Sequence, residues 1–239
     1  MDRIALSWSG GKDSALALRA LRDELQIEPE ALITTFTSAY DRVSMHGVRR
    51  ELARGQAQAA GLPIVEVDIP VRCTNVVYER RLARALSFPP LTAVRTFAFA
   101  DLFLSDIRAY REERLAAVGR RALFPLWGRD TRELAEGFIE AGFRATLVCV
   151  NLAQLDPAFL GREFDESLLA DLPPSVDPCG ENGEFHTFVY EGPIFNEPIR
   201  IESGEAVIRG EYGFQDLVLT GTAPDPTAAR GPGWRRDLG

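Results

Sequence analysis

Short apolar runs alternate with longer amphipathic segments along the first hundred residues. The runs are rich in β-branched residues and predict strands over 4–8, 31–37, 64–69 and 94–99. The segments between them repeat apolar residues every three or four positions, and they predict helices over 12–25, 47–60 and 75–86. Repeated strand–helix units are typical of a parallel sheet with helices on both faces. We therefore predict an α/β fold whose ligands bind at the carboxyl ends of the strands.

The pattern changes after residue 103. Further helices are predicted over 104–118 and 130–141, and a further strand is predicted over 144–150. Residues 177–195 combine glycine, proline and aromatic residues, which favours a structured loop with short strands. Residues 198–220 alternate apolar and polar positions, and they predict two antiparallel strands that turn at Ser203 and Gly204.

The first predicted strand leads into a loop with the composition of an anion site. The loop reads Ser9-Gly10-Gly11-Lys12-Asp13-Ser14. Lys12 is the only lysine in the chain, since every other basic residue among its 27 lysines and arginines is an arginine. Glycines allow close approach of the backbone, a helix N-terminus carries partial positive charge, and lysine adds a compact cation. The loop is not a Walker A motif, because Leu6 stands where that motif needs glycine and Asp13 follows the lysine.

Composition limits the classes of function. The chain has 239 residues and is 46% hydrophobic, which is enough to bury a full core. The sequence contains no apolar run long enough for a transmembrane helix and no pattern of a signal peptide. Three scattered cysteines (Cys73, Cys149 and Cys179) do not form a disulfide framework, so we expect a reducing cytoplasm. A net charge of −8 argues against nucleic acid as a partner.

A second segment concentrates functional groups. It reads Asp177-Pro178-Cys179-Gly180-Glu181-Asn182-Gly183-Glu184-Phe185-His186-Thr187. Together with the loop at 9–14, with Ser44-Met45-His46 and with the run at 192–195, it resembles the diphthine–ammonia ligase family. That family is part of the N-type ATP pyrophosphatases, also called the PP-loop or adenine nucleotide alpha hydrolase-like superfamily. The resemblance covers about residues 3–200. The loop alone is similar to those of asparagine, GMP and NAD synthetases and of tRNA thiolases.

The resemblance implies a fold and a division into domains. We expect a Rossmann-like (HUP-type) parallel sheet with flanking helices in a PP-loop ATP-binding domain over residues 1–103. A smaller C-terminal α+β subdomain over residues 104–220 would bind the substrate. The last residues, 221–239, are rich in proline, glycine, alanine and arginine, and we expect them to form a flexible tail.

The resemblance also implies an amide-forming reaction. ATP would adenylate a carboxylate and release pyrophosphate, and ammonia would then displace AMP. The family's carboxylate acceptor is diphthine, a modified histidine of elongation factor 2, although a bacterial chain would need another acceptor. ATP and Mg²⁺ are the implied cofactors, no membrane is expected to take part, and a homodimer is left open.

Roles for the loop and strand-end residues follow from the same resemblance. Ser9, Gly10, Gly11 and Ser14 would bind the departing pyrophosphate, and Lys12 would neutralise its charge. Each of the remaining residues has two possible roles. Asp13 would bind Mg²⁺ or cap the loop. His46 would lie near the nucleotide or bond to the backbone at a strand end. Asp101 follows Ala100 where family members tend to have glycine, and it would hold Mg²⁺ or substrate.

Roles for the second half are implied in the same way. Glu181 and Glu184 would bind ammonium, take a proton from it or hold Mg²⁺. Residues that would line the substrate site are Trp127, Gly128, Gly180, Asn182, Gly183, His186 and Thr187. A core position for Trp127 and Gly128 and an exposed strand position for His186 are the alternatives. We expect Cys179 to be a small buried residue rather than a nucleophile. Residues that predict a solvated ion-pair face are Arg108, Arg111 and Glu112.

Two other functions stay open from the sequence. The same ATP chemistry could act on a different acceptor, in another amidation or in tRNA thiolation, although thiolation usually uses paired cysteines and the chain has no Cys-x-x-Cys. A non-catalytic adenine-nucleotide-binding module is the third reading. The retained Ser9, Lys12 and Asp13 argue against it, because a sensor needs no grip on pyrophosphate.

Overall fold

A six-stranded sheet forms the first half of the protein. The computed structural model describes residues 3–220, so the predicted tail over 221–239 lies outside the described residues. The strands are β1 (Ile4–Ser7), β2 (Ala31–Thr37), β3 (Arg42–Val43), β4 (Ile64–Ile69), β5 (Thr96–Ala98) and β6 (Arg121–Leu123). Parallel pairing gives the order β4-β2-β1-β5-β6, and β3 pairs antiparallel with the end of β2. The Rossmann-like α/β prediction is thereby confirmed.

Six α-helices surround the two sheets in the described part of the chain. They are α1 (Lys12–Arg19), α2 (Arg50–Ala59), α3 (Asn75–Leu86), α4 (Ser105–Ala116), α5 (Thr131–Glu140) and α6 (Glu166–Asp171). α1 continues as a π-helical turn over Ala20–Glu24. α2 begins later than the predicted residue 47, because Gly47 has a φ of +73°, which belongs to a turn rather than to a helix. No described helix has both the length and the apolar character needed to cross a membrane.

β1 packs differently on its two faces. Ile4, Leu6 and Trp8 join a buried cluster with the apolar side chains of α1 and α5. Ala5 faces the other side and belongs to a cluster with Leu86 of α3 and other residues. A parallel strand that is buried on both faces reads as a continuous apolar run, which explains why β1 was recognisable from the sequence.

A four-stranded antiparallel sheet forms the C-terminal part. Its strands are β7 (Arg144–Asn151), β8 (Phe185–Glu191), β9 (Ile201–Arg209) and β10 (Tyr212–Leu219), in the order β8-β7-β10-β9. The predicted turn at Ser203 and Gly204 is wrong, because β9 runs through both residues and the hairpin turns at Gly210 and Glu211. A Cβ at Gly204 would lie 3.1 Å from Asp216 Oδ2, so this glycine serves close packing.

The two sheets meet at the loop that follows β1. Thr187 Oγ1 on β8 accepts a hydrogen bond from Lys12 N at 3.0 Å, and Val189 N donates to the Gly10 carbonyl at 3.0 Å. β6, which lies beyond residue 103, nevertheless extends the first sheet by pairing with β5. Where the chain divides into domains therefore stays a prediction.

Candidate active site

The loop between β1 and α1 is a compact, internally bonded turn. Ser9 and Ser14 hydroxyls are 2.7 Å apart, and Ser14 Oγ also accepts from Ser9 N at 3.1 Å. Gly10 has a φ of +82°, a conformation that L side chains rarely adopt. Gly11 precedes α1 without a side-chain cap of its own, but Thr187 Oγ1 accepts from the first amide of the helix, that of Lys12, so only the amides after it are left for a ligand. The turn therefore has the form of an anion cradle.

Lys12 is buried directly behind this turn, with only 2% of its surface exposed. Its Nζ lies 2.9 Å from each carboxylate oxygen of Asp13 and donates to the Cys179 carbonyl. Burial by itself would lower the pKa of Lys12, but the carboxylates of Asp13 and Glu181 help to raise this pKa above its ordinary value. Lys12 therefore stays charged and joins the loop to the glycine-rich segment.

A residue that the sequence did not single out supports the same turn. Gln56 on α2 is fully buried, and its amide donates to the carbonyls of Gly10 at 2.9 Å and Val189 at 2.6 Å. Its Oε1 accepts from Trp8 Nε1 at 3.0 Å. The only sequence signal for this role is a glutamine on the apolar face of a helix, between Leu52 and Ala59.

The glycine-rich segment folds around two carboxylates. Asp177 Oδ1 accepts from the backbone amides of Cys179 at 2.8 Å and Glu181 at 3.2 Å. Glu184 is 2% exposed, and its Oε1 accepts from Asp177 N and from Asn182 Nδ2, both at 3.0 Å. Glu184 therefore positions the segment from within, whereas Glu181 points outward to the cavity.

Glu181 lines the cavity and contacts the end of the first sheet. Its Oε1 accepts from Leu102 N at 2.8 Å, just after β5. Burial raises the pKa of Glu181 to about 7, and the nearby carboxylates of Asp13 and Asp101 act in the same direction. A carboxyl group with this pKa exchanges protons readily near neutral pH.

Asp101 is the second cavity carboxylate at the end of β5. Its Oδ2 lies 2.8 Å from Arg111 Nε in an ion pair, but these two buried atoms do not meet hydrogen-bond geometry. Arg111 Nη2 donates to the other oxygen at 3.2 Å. Arg111 thus departs from the predicted solvated face, whereas Arg108 and Glu112 form the expected exposed ion pair at 2.8 Å.

Two histidines from different sheets stack beside the loop. The ring centroids of His46 and His186 are 4.3 Å apart, and both residues are half-buried. Burial lowers the pKa of His186 to about 4. Burial and then the neighbouring His186 lower the pKa of His46 well below its ordinary value. His46 Nδ1 also lies 3.4 Å from the Thr187 carbonyl, a contact that acts on the pKa of His46 in the opposite direction. Burial therefore favours the neutral form of both rings.

A cavity of about 680 Å³ opens at the carboxyl ends of β1, β2 and β5. The predicted site residues that line it are Ser9, Asp13, Ser14, His46, Asp101, Gly180, Glu181 and His186. Gly10, Gly11, Lys12 and Thr187 instead belong to the contacts that hold the loop. The predicted residues that lie off the lining are Trp127, Gly128, Asn182, Gly183 and Glu184. The individual roles of all these residues stay predictions.

Trp127 and Cys179 are held by packing and hydrogen bonds within the protein. Trp127 packs against the Phe124 ring at 5.8 Å between centroids and under the Arg108 guanidinium at 4.6 Å. Cys179 is buried, and its thiol donates to the Thr131 carbonyl at 3.2 Å. Burial raises the pKa of this thiol, which disfavours a nucleophilic thiolate and agrees with the expected small buried residue.

Asp13 and Asp101 are the residues that could hold a metal ion. Within residues 3–220 no group of three histidines, cysteines or carboxylates could hold one by itself. Mg²⁺ in nucleotide sites is usually bound by one or two carboxylates together with phosphate oxygens and water. Both aspartates line the cavity, where Asp13 pairs with Lys12 and Asp101 with Arg111, so each carboxylate would keep a cation on one side and face the cavity with the other. The donor set therefore fits Mg²⁺ that arrives with a nucleotide.

Comparison with known proteins matches most of the chain to two family models. Residues 1–100 match the family model for the diphthamide synthase N-terminal domain, and residues 130–220 match the model for the C-terminal domain. The chain belongs to the diphthamide synthase family. The two matches include the loop at 9–14, the His46 turn and the glycine-rich segment, so every part of the cavity edge described above except Asp101 lies within a matched region.

Relatives with assigned names agree with membership of the diphthamide synthase family. A diphthine–ammonia ligase of Rattus norvegicus is 28% identical in an alignment of 241 positions, gaps included, that covers 89% of this chain and 87% of the relative. The ligase of Mus musculus is 27% identical over 248 aligned positions, with the same coverage of 89% and 87%. The ligase of Danio rerio is 34% identical over 117 residues, which covers 46% of each chain.

Proposed function

We propose that this chain is an ATP-dependent ligase that adenylates an acceptor carboxylate, releases pyrophosphate and transfers ammonia to the acyl group. The names of its relatives support diphthine as the acceptor. The observation that carries the proposal is the anion cradle at the start of α1, which opens on the same cavity as Glu181. A cytoplasmic location stays a prediction.

In the first step, an oxygen of the acceptor carboxylate attacks the α-phosphorus of ATP. The bond from this phosphorus to the bridging oxygen breaks, and pyrophosphate leaves with the electron pair. Ser9 and Ser14 hydroxyls and the amides at the start of α1 bind the leaving group, while the Lys12 charge stabilises it electrostatically. The acyl group then carries AMP as a good leaving group, which a free carboxylate lacks.

In the second step, the nitrogen of ammonia attacks the acyl carbon and AMP leaves with the electrons of the carbon–oxygen bond. The new amide must lose a proton, and Glu181 is the group that accepts it. A pKa of about 7 suits this role, because such a carboxylate is partly deprotonated at neutral pH and can accept the one proton that the new amide releases.

Asp13 and Asp101 would hold Mg²⁺ at the phosphates. When bound, Mg²⁺ neutralises phosphate charge and helps to orient the chain of phosphates. Asp13 lines the cavity and pairs with the buried Lys12 behind it at 2.9 Å, so a negative group faces the phosphates with a positive group directly behind it.

The test is the product pattern of the purified full chain with Mg-ATP and ammonium, with and without elongation factor 2 that carries diphthine. We expect AMP, pyrophosphate and amidated factor in equal amounts, and only when the factor is present. AMP and pyrophosphate without the factor would contradict diphthine as the acceptor and leave α–β cleavage standing. ADP and phosphate, or no turnover, would contradict the ligase and favour a nucleotide-binding module.

A further inference from the structure

Exposed apolar side chains are distributed unevenly over the surface. Of the ten large ones in the described part of the chain, four follow helices or lie on β9: Leu25, Phe88, Val118 and Ile208. The other six lie between β2 and α2 or in the loops and first helical turns after β4 and β5, and we call them the mouth rim: Tyr40, Met45, Val71, Val76, Phe103 and Ile107. Because the carboxyl ends of parallel strands meet at one edge of a sheet, the mouth rim lies at the edge where the cavity opens.

The mouth rim extends beyond the reach of a ligand inside the cavity. Met45 and Val76 line the cavity and are 67% and 65% exposed, but the other four members lie off the lining. The strands concerned follow the order β4-β2-β1-β5, so three strand spacings separate the outermost loops by about 14 Å. A small molecule in the cavity would leave most of the rim in water. A protein surface of ordinary interface size would cover it.

Positive charge accompanies the mouth rim on its β4 side. Arg72 follows β4 and Arg80 lies on α3, and both side chains are exposed without an ion pair inside residues 3–220. The nearby carboxylates of Asp41 and Asp68 both bond to Arg50, so they do not neutralise these two arginines. Apolar side chains beside unpaired guanidinium groups suit an apolar partner surface that carries carboxylates.

We propose that the mouth rim is the docking surface for the protein that carries the acceptor, and that this protein presents an apolar region with acidic side chains opposite Arg72 and Arg80. The inference rests on the proposed function and adds the face of the ligase that the acceptor protein occupies. Docking there brings the acceptor side chain over the cavity that Glu181 lines. Nucleic acid suits this surface less well, because the rim is apolar and the chain has a net charge of −8.

The first test compares one phenylalanine of the mouth rim with one at the opposite edge of the sheet. Phe103 is 42% exposed and Phe88 is 57% exposed, and both lie off the cavity lining, so Phe103→Ser and Phe88→Ser form a matched pair. With elongation factor 2 that carries diphthine, Phe103→Ser should raise the KM for the factor about tenfold and leave the KM for ATP within about twofold. Phe88→Ser should change neither KM by more than about twofold.

The second test uses charge on a separate loop, because Phe103 is next to Leu102, whose amide bonds to Glu181. Arg72→Glu is compared with Arg84→Glu, since Arg84 is exposed in the last turn of α3 and also forms no ion pair within the described residues. Arg72→Glu should raise the KM for the factor at least tenfold at low salt and less at high salt, with an unchanged KM for ATP. Arg84→Glu should leave both values near those of the wild type.

Three outcomes would overturn the docking surface alone. The first is normal amidation by the wild type with equal KM values for the factor within both matched pairs. The second is a wild-type dimer that Phe103→Ser converts to a monomer in light scattering, which would assign the mouth rim to a second copy of the chain. The third is binding of single-stranded RNA that Arg72→Glu abolishes with an unchanged KM for the factor, which would assign it to nucleic acid.

Failure of the proposed function gives a different result. Binding of the factor is measured by interferometry without ATP. If the factor binds the wild type through Phe103 and Arg72 but is not amidated, the docking surface is supported and the ligase is contradicted. If the wild type neither binds nor amidates the factor, the proposed acceptor and the docking surface are overturned together.

Discussion

At the scale of single residues, the Lys12 ammonium has contacts on both sides of the candidate active site. It bonds to Asp13 beside the phosphate loop and to the Cys179 carbonyl in the glycine-rich segment. Its side chain is only 2% exposed, so little water screens the charge. The ammonium therefore attracts nearby anions more strongly than a surface lysine would. Under the proposed function we expect this buried, paired cation to stabilise bound polyphosphate as well as to hold the geometry of the site.

We predict that Lys12→Ala abolishes ATP turnover. The substitution removes the charge that stabilises the departing pyrophosphate, and it leaves Asp13 as an unpaired carboxylate at the cradle. Release of pyrophosphate should fall at least about 100-fold, as is typical when a group that stabilises transition-state charge is lost. Thermal unfolding of the variant separates this effect from loss of fold. Near wild-type pyrophosphate release would contradict the assignment of the loop.

The stacked histidines predict a pH dependence of stability. Burial lowers the pKa of His186 from the ordinary value of 6.5 to about 4, so between these values the unfolded chain binds a proton that the folded chain does not. The contribution of His186 is fully present above pH 6.5 and is lost as the pH falls towards 4. Glu181 acts in the opposite sense because its pKa is raised, so the comparison must be made between variants.

We therefore expect the wild type to lose roughly 1 to 2 kcal/mol more unfolding free energy than His186→Asn between pH 7.5 and pH 5, at about 1.4 kcal/mol per pKa unit. Urea unfolding at several pH values measures this difference. The expected loss is smaller than the full difference between the two pKa values would give, because His186 is only half-buried and His46 remains in the variant. A parallel pH dependence of the two proteins would rule out a neutral, buried His186.

At the scale of elements, α2 supports the phosphate loop through one side chain. We predict that Gln56→Ala destabilises the protein by about 3 kcal/mol, because Trp8 Nε1 and the carbonyls of Gly10 and Val189 lose their buried partner. Gln58→Ala is the matched control, since Gln58 is exposed on the same helix and should change stability by less than about 0.5 kcal/mol. Similar effects of the two substitutions in urea unfolding would contradict this role.

The parallel strands β1, β2 and β5 could be predicted because burial makes them runs of apolar and β-branched residues, and β4 because its apolar and acidic residues alternate. Strands β3 and β6 escaped prediction, since each is only two or three residues long and β6 carries the exposed Arg121. The predicted position of the β9–β10 turn was wrong because glycine can mark either close packing or a turn. Gly204 allows a close approach to Asp216, whereas Gly210 supplies the positive φ of +59° that the turn requires.

The residues that line the cavity could be predicted better than the buried residues that hold them in place. Motif residues such as Ser9, Asp13 and Glu181 carry chemistry that their type and neighbours reveal in the sequence, and they do line the cavity. Gln56 and Arg111 could not be recognised in this way. Their importance depends on which residues lie opposite them, and long-range partners such as Val189 are not encoded in local spacing.

At the scale of the whole molecule, a buried ion-pair network joins the two sheets. Asp216 on β10 pairs with Arg42 of β3 at 2.8 Å and with Arg49 before α2 at 2.6 Å, and its side chain is 8% exposed. Arg42 Nη1 also donates to the Gly47 carbonyl at 2.8 Å. The network therefore fixes the turn that carries His46 against the C-terminal sheet, so that both histidines reach the same cavity.

We predict that Asp216→Asn lowers the unfolding free energy by about 3 kcal/mol, because it leaves a buried arginine without its counter-charge. Glu191→Gln is the control, since its pair with Arg144 spans 3.9 Å with both side chains exposed, and it should cost less than about 1 kcal/mol. Both values are measured by urea unfolding. Because the network also holds the His46 turn, Asp216→Asn should weaken ATP binding as well. Loss of stability with unchanged ATP affinity would show that the ion pairs join the sheets without positioning the site.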